Sequence, residues 1–174
     1  MTTIAYKDGV LAGDSLSTVN GRRSGPMEKT FAYRLLGGGA CLIGLCGEPQ
    51  HFQKVLRDII KREEDPLREE IWPIGEYMAL IALKHEDRPE RQADVYLFEG
   101  AGEPFPVSGP FHAIGSGSEI AIGAMAVGAS ALQAVHAAIA LDIYSGPPVI
   151  TLTFPVPESS ETPPGQQKDP ETPF

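Results

Sequence analysis

The sequence predicts an α+β domain of two stacked antiparallel sheets covered by helices on both faces, and three observations lead there. Two strand–turn–strand units come first, centred on Asp8-Gly9 and on Gly37-Gly38-Gly39. One amphipathic helix and then an Ala-rich helical pair interrupt further strand-like runs. The Ala-rich helices carry few charges, as helices packed on a sheet do.

Taken in order, the runs TTIAYK and VLAGD flank Asp8-Gly9, the dipeptide that best favours a tight type I′ hairpin. KTFAYRLL and ACLIGLC flank the glycine triplet in the same way, so four strands precede any helix. After Gly47 the period changes. Phe52, Val55, Leu56, Ile59 and Ile60 recur at three-and-four spacing, which predicts a helix from Pro49 to about Glu63. YMALIALKHE and ADVYLFEG read as further strands, although alanine and leucine in the first also favour helix. From Glu119 to about Leu141 two helices are expected, broken near Gly128, with Ser130 as the N-cap of the second. PPVITLTF is the last strand. This body, residues 1–154, is one domain; residues 155–174 hold six of the sixteen prolines, four acids and almost nothing apolar, so a disordered acidic tail is expected.

The 174 residues include 14 basic and 23 acidic side chains, a net charge of −9, and the pI is about 4.9. Such a surface has no field for phosphate backbones or anionic lipid, which argues against nucleic acid and membrane partners. No apolar run approaches the roughly 20 residues of a spanning helix, and polarity begins at Lys7 and Asp8, too early for a signal peptide. A cytoplasmic protein is expected. Cys41 and Cys46 lie in an apolar stretch without CxxC spacing and read as two buried thiols, while His51, His85, His112 and His136 have no ligand spacing. Neither metal nor cofactor is expected.

Chemistry first suggests itself at the N-terminus. A small residue after the initiator Met permits removal of Met1, which leaves Thr2 with a free amine beside its own hydroxyl, nucleophile and base in one residue. The α-amine, with a reference pKa of about 8, can accept that proton near neutrality. Many chains begin Met-Thr without catalytic meaning. Register adds Asp14: a two-residue loop at Asp8-Gly9 pairs Lys7 with Val10 and so sets Thr3 across from Asp14. The pleat turns that carboxylate from the Thr2 side chain, so an intermediary cation is needed, and Lys29 is a candidate. Otherwise Asp14 is a turn cap and Lys29 a solvated lysine. Gly115-Ser116-Gly117-Ser118 lacks the third glycine and the lysine of phosphate loops; it reads as a strand-to-helix turn with Ser118 as cap. Asp142 and Ser145 end a helix, where an acid is mildly unfavourable unless an ammonium or similar partner is near.

Together, TTIAYKDGVLAGDS, the lysine of MEKTFAYRL, the glycine of LIGLCGEP, AIGSGSEIAIGAM and LDIYSGPPV resemble the proteasome β-subunit and bacterial HslV peptidase family over Thr2 to about Leu152. The resemblance implies the four-layer αββα sandwich of N-terminal nucleophile hydrolases. It implies a threonine peptidase in which Thr2 is the nucleophile, Asp14 and Lys29 tune it, and the Gly47 N–H donates to the oxyanion. Ser116, Asp142 and Ser145 then resemble the polar group holding the terminal amine, and Leu45 a wall of the substrate pocket with apolar preference. A homo-oligomeric ring, stacked as a double ring, is further implied, with polypeptide as substrate; an ATP-dependent unfoldase partner would accompany it, although no residue identifies one. The short first hairpin, the proline-broken segment from Asp65 to Pro73 and the acidic tail depart from the family pattern and suggest a specialised bacterial or phage relative. Two other classes compete: a non-catalytic shell protein of the same fold, and an N-terminal nucleophile amidohydrolase acting on a small amide.

Overall fold

The computed structural model describes residues 2–19, 22–35, 38–61, 76–88, 92–100 and 103–155. The first hairpin joins β1 (Thr3–Lys7) to β2 (Val10–Asp14) through Asp8 and Gly9, whose φ values of 51° and 78° are those of a type I′ turn. Lys7 pairs with Val10 and Ile4 with Gly13, the register that the loop length dictates. A second hairpin follows, β3 (Leu16–Val19) with β4 (Arg22–Pro26). Then come β5 (Thr30–Arg34), β6 (Ala40–Gly47) and the helix α1 (Pro49–Lys61). Strands β7 (Tyr77–Lys84), β8 (Asp94–Glu99), β9 (Phe105–Pro106) and β10 (Phe111–Gly115) precede α2 (Ser118–Ala126), α3 (Ala131–Leu141) and β11 (Val149–Thr153).

The strands make three sheets: a four-stranded one in the order β10-β1-β2-β11, the two-stranded β3-β4, and a five-stranded one in the order β5-β6-β7-β8-β9. Alternation along β1 assigns its two faces. Ile4 and Tyr6 meet Leu42, Leu80 and Val95 between the two larger sheets, whereas Ala5 faces the helical pair. Ala5 and Ala12 are small, so the helix residues Ala121, Ala131 and Ala134 pack closely on that sheet. On the far side, Phe52, Val55 and Leu56 of α1 cover Ile43, Ala79 and Ile81 of the five-stranded sheet. Lys7 Nζ ties β1 to the turn between the paired helices, donating to the carbonyls of Met125 (3.2 Å) and Ala129 (2.8 Å).

This arrangement corrects the expected regular four-layer αββα sandwich. There are three sheets rather than two among the described residues, strand outweighs helix, and the helical cover is uneven, a pair on one large sheet and α1 alone on the other. Among the described residues six strands, not four, precede α1; the extra hairpin is exposed at Arg22, Arg23 and Ser24 and so has no alternating apolar pattern to betray it. Ser118 is the first residue of α2 rather than its cap, since Gly117 holds that position without a side-chain hydrogen bond. Ser130 caps α3 as expected, in a capping box with Gln133. Glu63, the segment from Asp65 to Pro73 and the tail from residue 156 lie outside the described residues.

Candidate active site

Asp14 ends β2 and is fully enclosed. Its Oδ1 accepts from the Thr3 N–H at 2.9 Å and from Lys29 Nζ at 3.0 Å, and its Oδ2 from the Leu16 and Gly146 N–H groups at 3.1 and 3.0 Å. Lys29, one residue before β5, also donates to the Leu16 carbonyl at 2.6 Å. The two side chains are 0% and 1% exposed. Burial pushes the Lys29 pKa down, the Asp14 charge and hydrogen bond oppose it, and the balance lies below an ordinary lysine. The pair that the register suggested is thus formed, and it is bonded to the backbone that follows Thr2.

Thr2 is itself buried at the head of β1 and borders an open cleft of about 940 Å³, together with Cys46, Gly47, Gly115 and Ser116. Gly115 pairs with Thr3 at the end of β10 and has φ +94°; a Cβ there would overlap the Thr2 carbonyl oxygen. Gly47 ends β6 with φ +109°, two residues before α1, and a Cβ would overlap the Glu76 carbonyl.

Ser116, Asp142 and Ser145 form one connected group beside β1. The single proton of Ser116 goes to Asp142 Oδ2 at 2.7 Å, leaving the Thr2 carbonyl oxygen as a long contact at 3.4 Å. Ser145 likewise donates to Asp142 Oδ2 at 2.7 Å, so the Thr3 hydroxyl is the donor in its 2.6 Å bond to Ser145. Burial works against the Asp142 charge, but donors from Ser116, Ser145 and the Tyr144 N–H outweigh it and hold the carboxyl below the usual aspartate range. These contacts hold the Thr2–Thr3 segment through the Thr3 side chain.

Six of the expected residues therefore converge with Thr2 on one end of the sheet pair. Leu45 does not. It is wholly buried with Phe52 and Val55 under α1, because strand alternation gives Cys46, not Leu45, to the cleft side of β6. Sequence reasoning overlooked Thr3, whose amide and hydroxyl hold both polar groups, and Gly146, whose amide completes the shell of Asp14. Register alone could have found Thr3, since it already stood opposite Asp14. Both cysteines are free and buried, and burial raises each thiol to about 11. Among the described residues, no three His, Cys, Asp or Glu side chains group as a metal site would need, and no helix is long and apolar enough to cross a membrane.

No protein-family model and no curated protein matches the sequence. Solved structures do. Anbu (ancestral beta-subunit) from Yersinia bercovieri matches with a TM-score of 0.66 at 11% identity, over 89% of this chain and 82% of that one. An Anbu (Gly-1) mutant from Hyphomicrobium sp. strain MC1 gives 0.67 at 12%, over 88% and 82%. Thiobacillus denitrificans BPH in complex with epoxomicin gives 0.58 at 21%, over 88% and 97%. The chain shares the fold of these proteins. The structural likeness to Anbu and BPH covers 88–89% of the chain, at identities too low to transfer residue roles.

Proposed function

We propose that the chain is a threonine-type N-terminal nucleophile peptidase of proteasome-like kind. The observation that carries this reading is the enclosed Lys29–Asp14 pair, bonded to the Thr3 amide immediately behind Thr2 at the head of an open cleft. A buried charge pair is costly to fold, and a site that places one against the first residues of a strand gains from it chiefly in electrostatics.

In this reading, removal of whatever precedes Thr2 frees its amine, which takes the Thr2 hydroxyl proton as the oxygen attacks a substrate carbonyl. Lys29, held charged by Asp14, lowers the cost of the developing alkoxide. The tetrahedral oxygen receives the Gly47 N–H, near the positive start of α1. Collapse breaks the C–N bond, the terminal ammonium returns its proton to the departing amine, and water then hydrolyses the Thr2 ester. Ser116, Asp142 and Ser145 orient the terminal amine by fixing the residues that bear it. Exposed Ile122, Val127, Leu141 and Ile143 on and after the helical pair support association with further copies, as in a homo-oligomeric ring.

Intact mass before and after a peptide epoxyketone tests the reading, because that reagent needs both a terminal hydroxyl and its free amine; the BPH complex with epoxomicin supports the choice. The expected result is a protein that begins at Thr2 and gains one adduct per chain, mapped to Thr2 and lost in Thr2→Ala. A retained Met1 without adduct sinks the reading and leaves a non-catalytic protein of the same fold.

A further inference from the structure

We infer that the cleft selects polypeptide segments carrying lysine or arginine near the bond to be cut, which names the substrate class of the proposed peptidase and rests on that reading. The argument begins with sign. Glu48, Glu76 and Glu99 border the cleft, and none of the described residues lining it is a lysine, arginine or histidine. Glu48 has His51 at 3.4 Å, but neither Glu76 nor Glu99 has an ion-pair partner among the described residues.

Register then gives the carboxylates a shape. Cys46 pairs with Met78 and Met78 with Glu99, so the three side chains form a row on one face of three adjacent strands, next to Gly47 and leading away from Thr2. Two strand spacings, roughly 10 Å, separate Cys46 from Glu99. An apolar stretch closed by a carboxylate suits a long aliphatic stem with a cationic end, the geometry in which lysine and arginine bury their methylenes and keep the charge in a polar setting. On the near side, the Glu48 N–H donates to the Glu76 carbonyl at 2.9 Å, which holds those two acids on neighbouring backbones at the cleft edge. Leu45 is excluded from this surface by its burial under α1, so the apolar preference expected of it gives way to a charge preference.

The test uses fluorogenic peptides that differ only in the residue before the cut, arginine, leucine or glutamate. Turnover is measured on the processed protein and binding by fluorescence anisotropy on Thr2→Ala. Arginine should exceed glutamate on the order of tenfold in both readouts, and the ratio should fall toward one in Glu76→Gln/Glu99→Gln and at high salt. Turnover that favours leucine or glutamate, or an arginine preference unmoved by the double variant, overturns the inference. Preferential binding of the arginine peptide without turnover of any peptide and without an epoxyketone adduct supports cationic selection and refutes the peptidase reading instead.

Discussion

Lys29 Nζ and the Thr3 amide share one oxygen of Asp14, at 3.0 and 2.9 Å, so a single carboxylate fixes both the buried cation and the backbone that follows Thr2. The two partners are not equivalent when removed. Asp14 without Lys29 keeps three backbone donors, whereas Lys29 without Asp14 keeps the Leu16 carbonyl as its acceptor. Asp14→Ala should therefore cost about 3–5 kcal/mol, as an uncompensated buried charge does. Lys29→Met should cost about 1–3 kcal/mol and, on the proposed peptidase reading, abolish turnover. Urea unfolding of both variants checks the order, and a Lys29→Met enzyme with wild-type turnover would remove Lys29 from the mechanism.

Gly115 meets the Thr2 carbonyl so closely that a methyl group must push the strand aside, and its φ of +94° adds backbone strain. Gly115→Ala is expected to slow epoxyketone addition on the order of 100-fold through misplacement of Thr2. Gly123→Ala is the matched control: its added methyl meets nothing within 4 Å in mid-α2, and it should stabilise the protein by about 0.5–1 kcal/mol. Equal adduct rates in the two variants would contradict the placement of Thr2 by Gly115.

His112 on β10 stands opposite Tyr6, and its Nε2 is buried without a hydrogen-bond partner among the described residues. Burial lowers its pKa, against a hydrogen bond to the Gly109 backbone that raises it. The unfolded chain then binds the proton first as pH falls below about 6.5, so stability is present above that value and declines through the window beneath it. His112→Leu should flatten this part of the profile. Unfolding midpoints at pH 7 and pH 5.5 for both proteins measure the difference, and identical slopes would show that His112 does not contribute.

How far the sequence could be read follows from how local each constraint is. The Asp8-Gly9 turn sets the pairing of β1 with β2 within two residues, and Asp14 thereby falls beside the N-terminus without any tertiary knowledge. The Ala-rich pair was equally legible, since Gly128 and the Ser130 capping box are encoded in a few adjacent positions. The β3–β4 hairpin was not, because the polar residues of β4 are largely exposed and give no alternating apolar pattern; Asn20-Gly21 was the available signal. Gly117, not Ser118, holds the cap, and what fixes a glycine there is tertiary, as a Cβ would overlap the Thr3 hydroxyl oxygen. Leu45 illustrates the same limit: which face of β6 turns toward the cleft depends on where α1 packs, a long-range fact.

Strand order has a consequence for how the protein should fail. β1 lies inside its sheet, with β10 on one side and β2 on the other, so Thr2 directly precedes an interior strand rather than a frayed edge. Chain ends are ordinarily the first parts to open, on free energies near zero, whereas interior strands exchange their amide protons only with global opening. The opening residues of this chain belong to the second class. Heat should not loosen the proposed nucleophile ahead of the fold: reactivity of Thr2 and integrity of the core should disappear at one temperature, and the amides of β1 should be among the slowest to exchange.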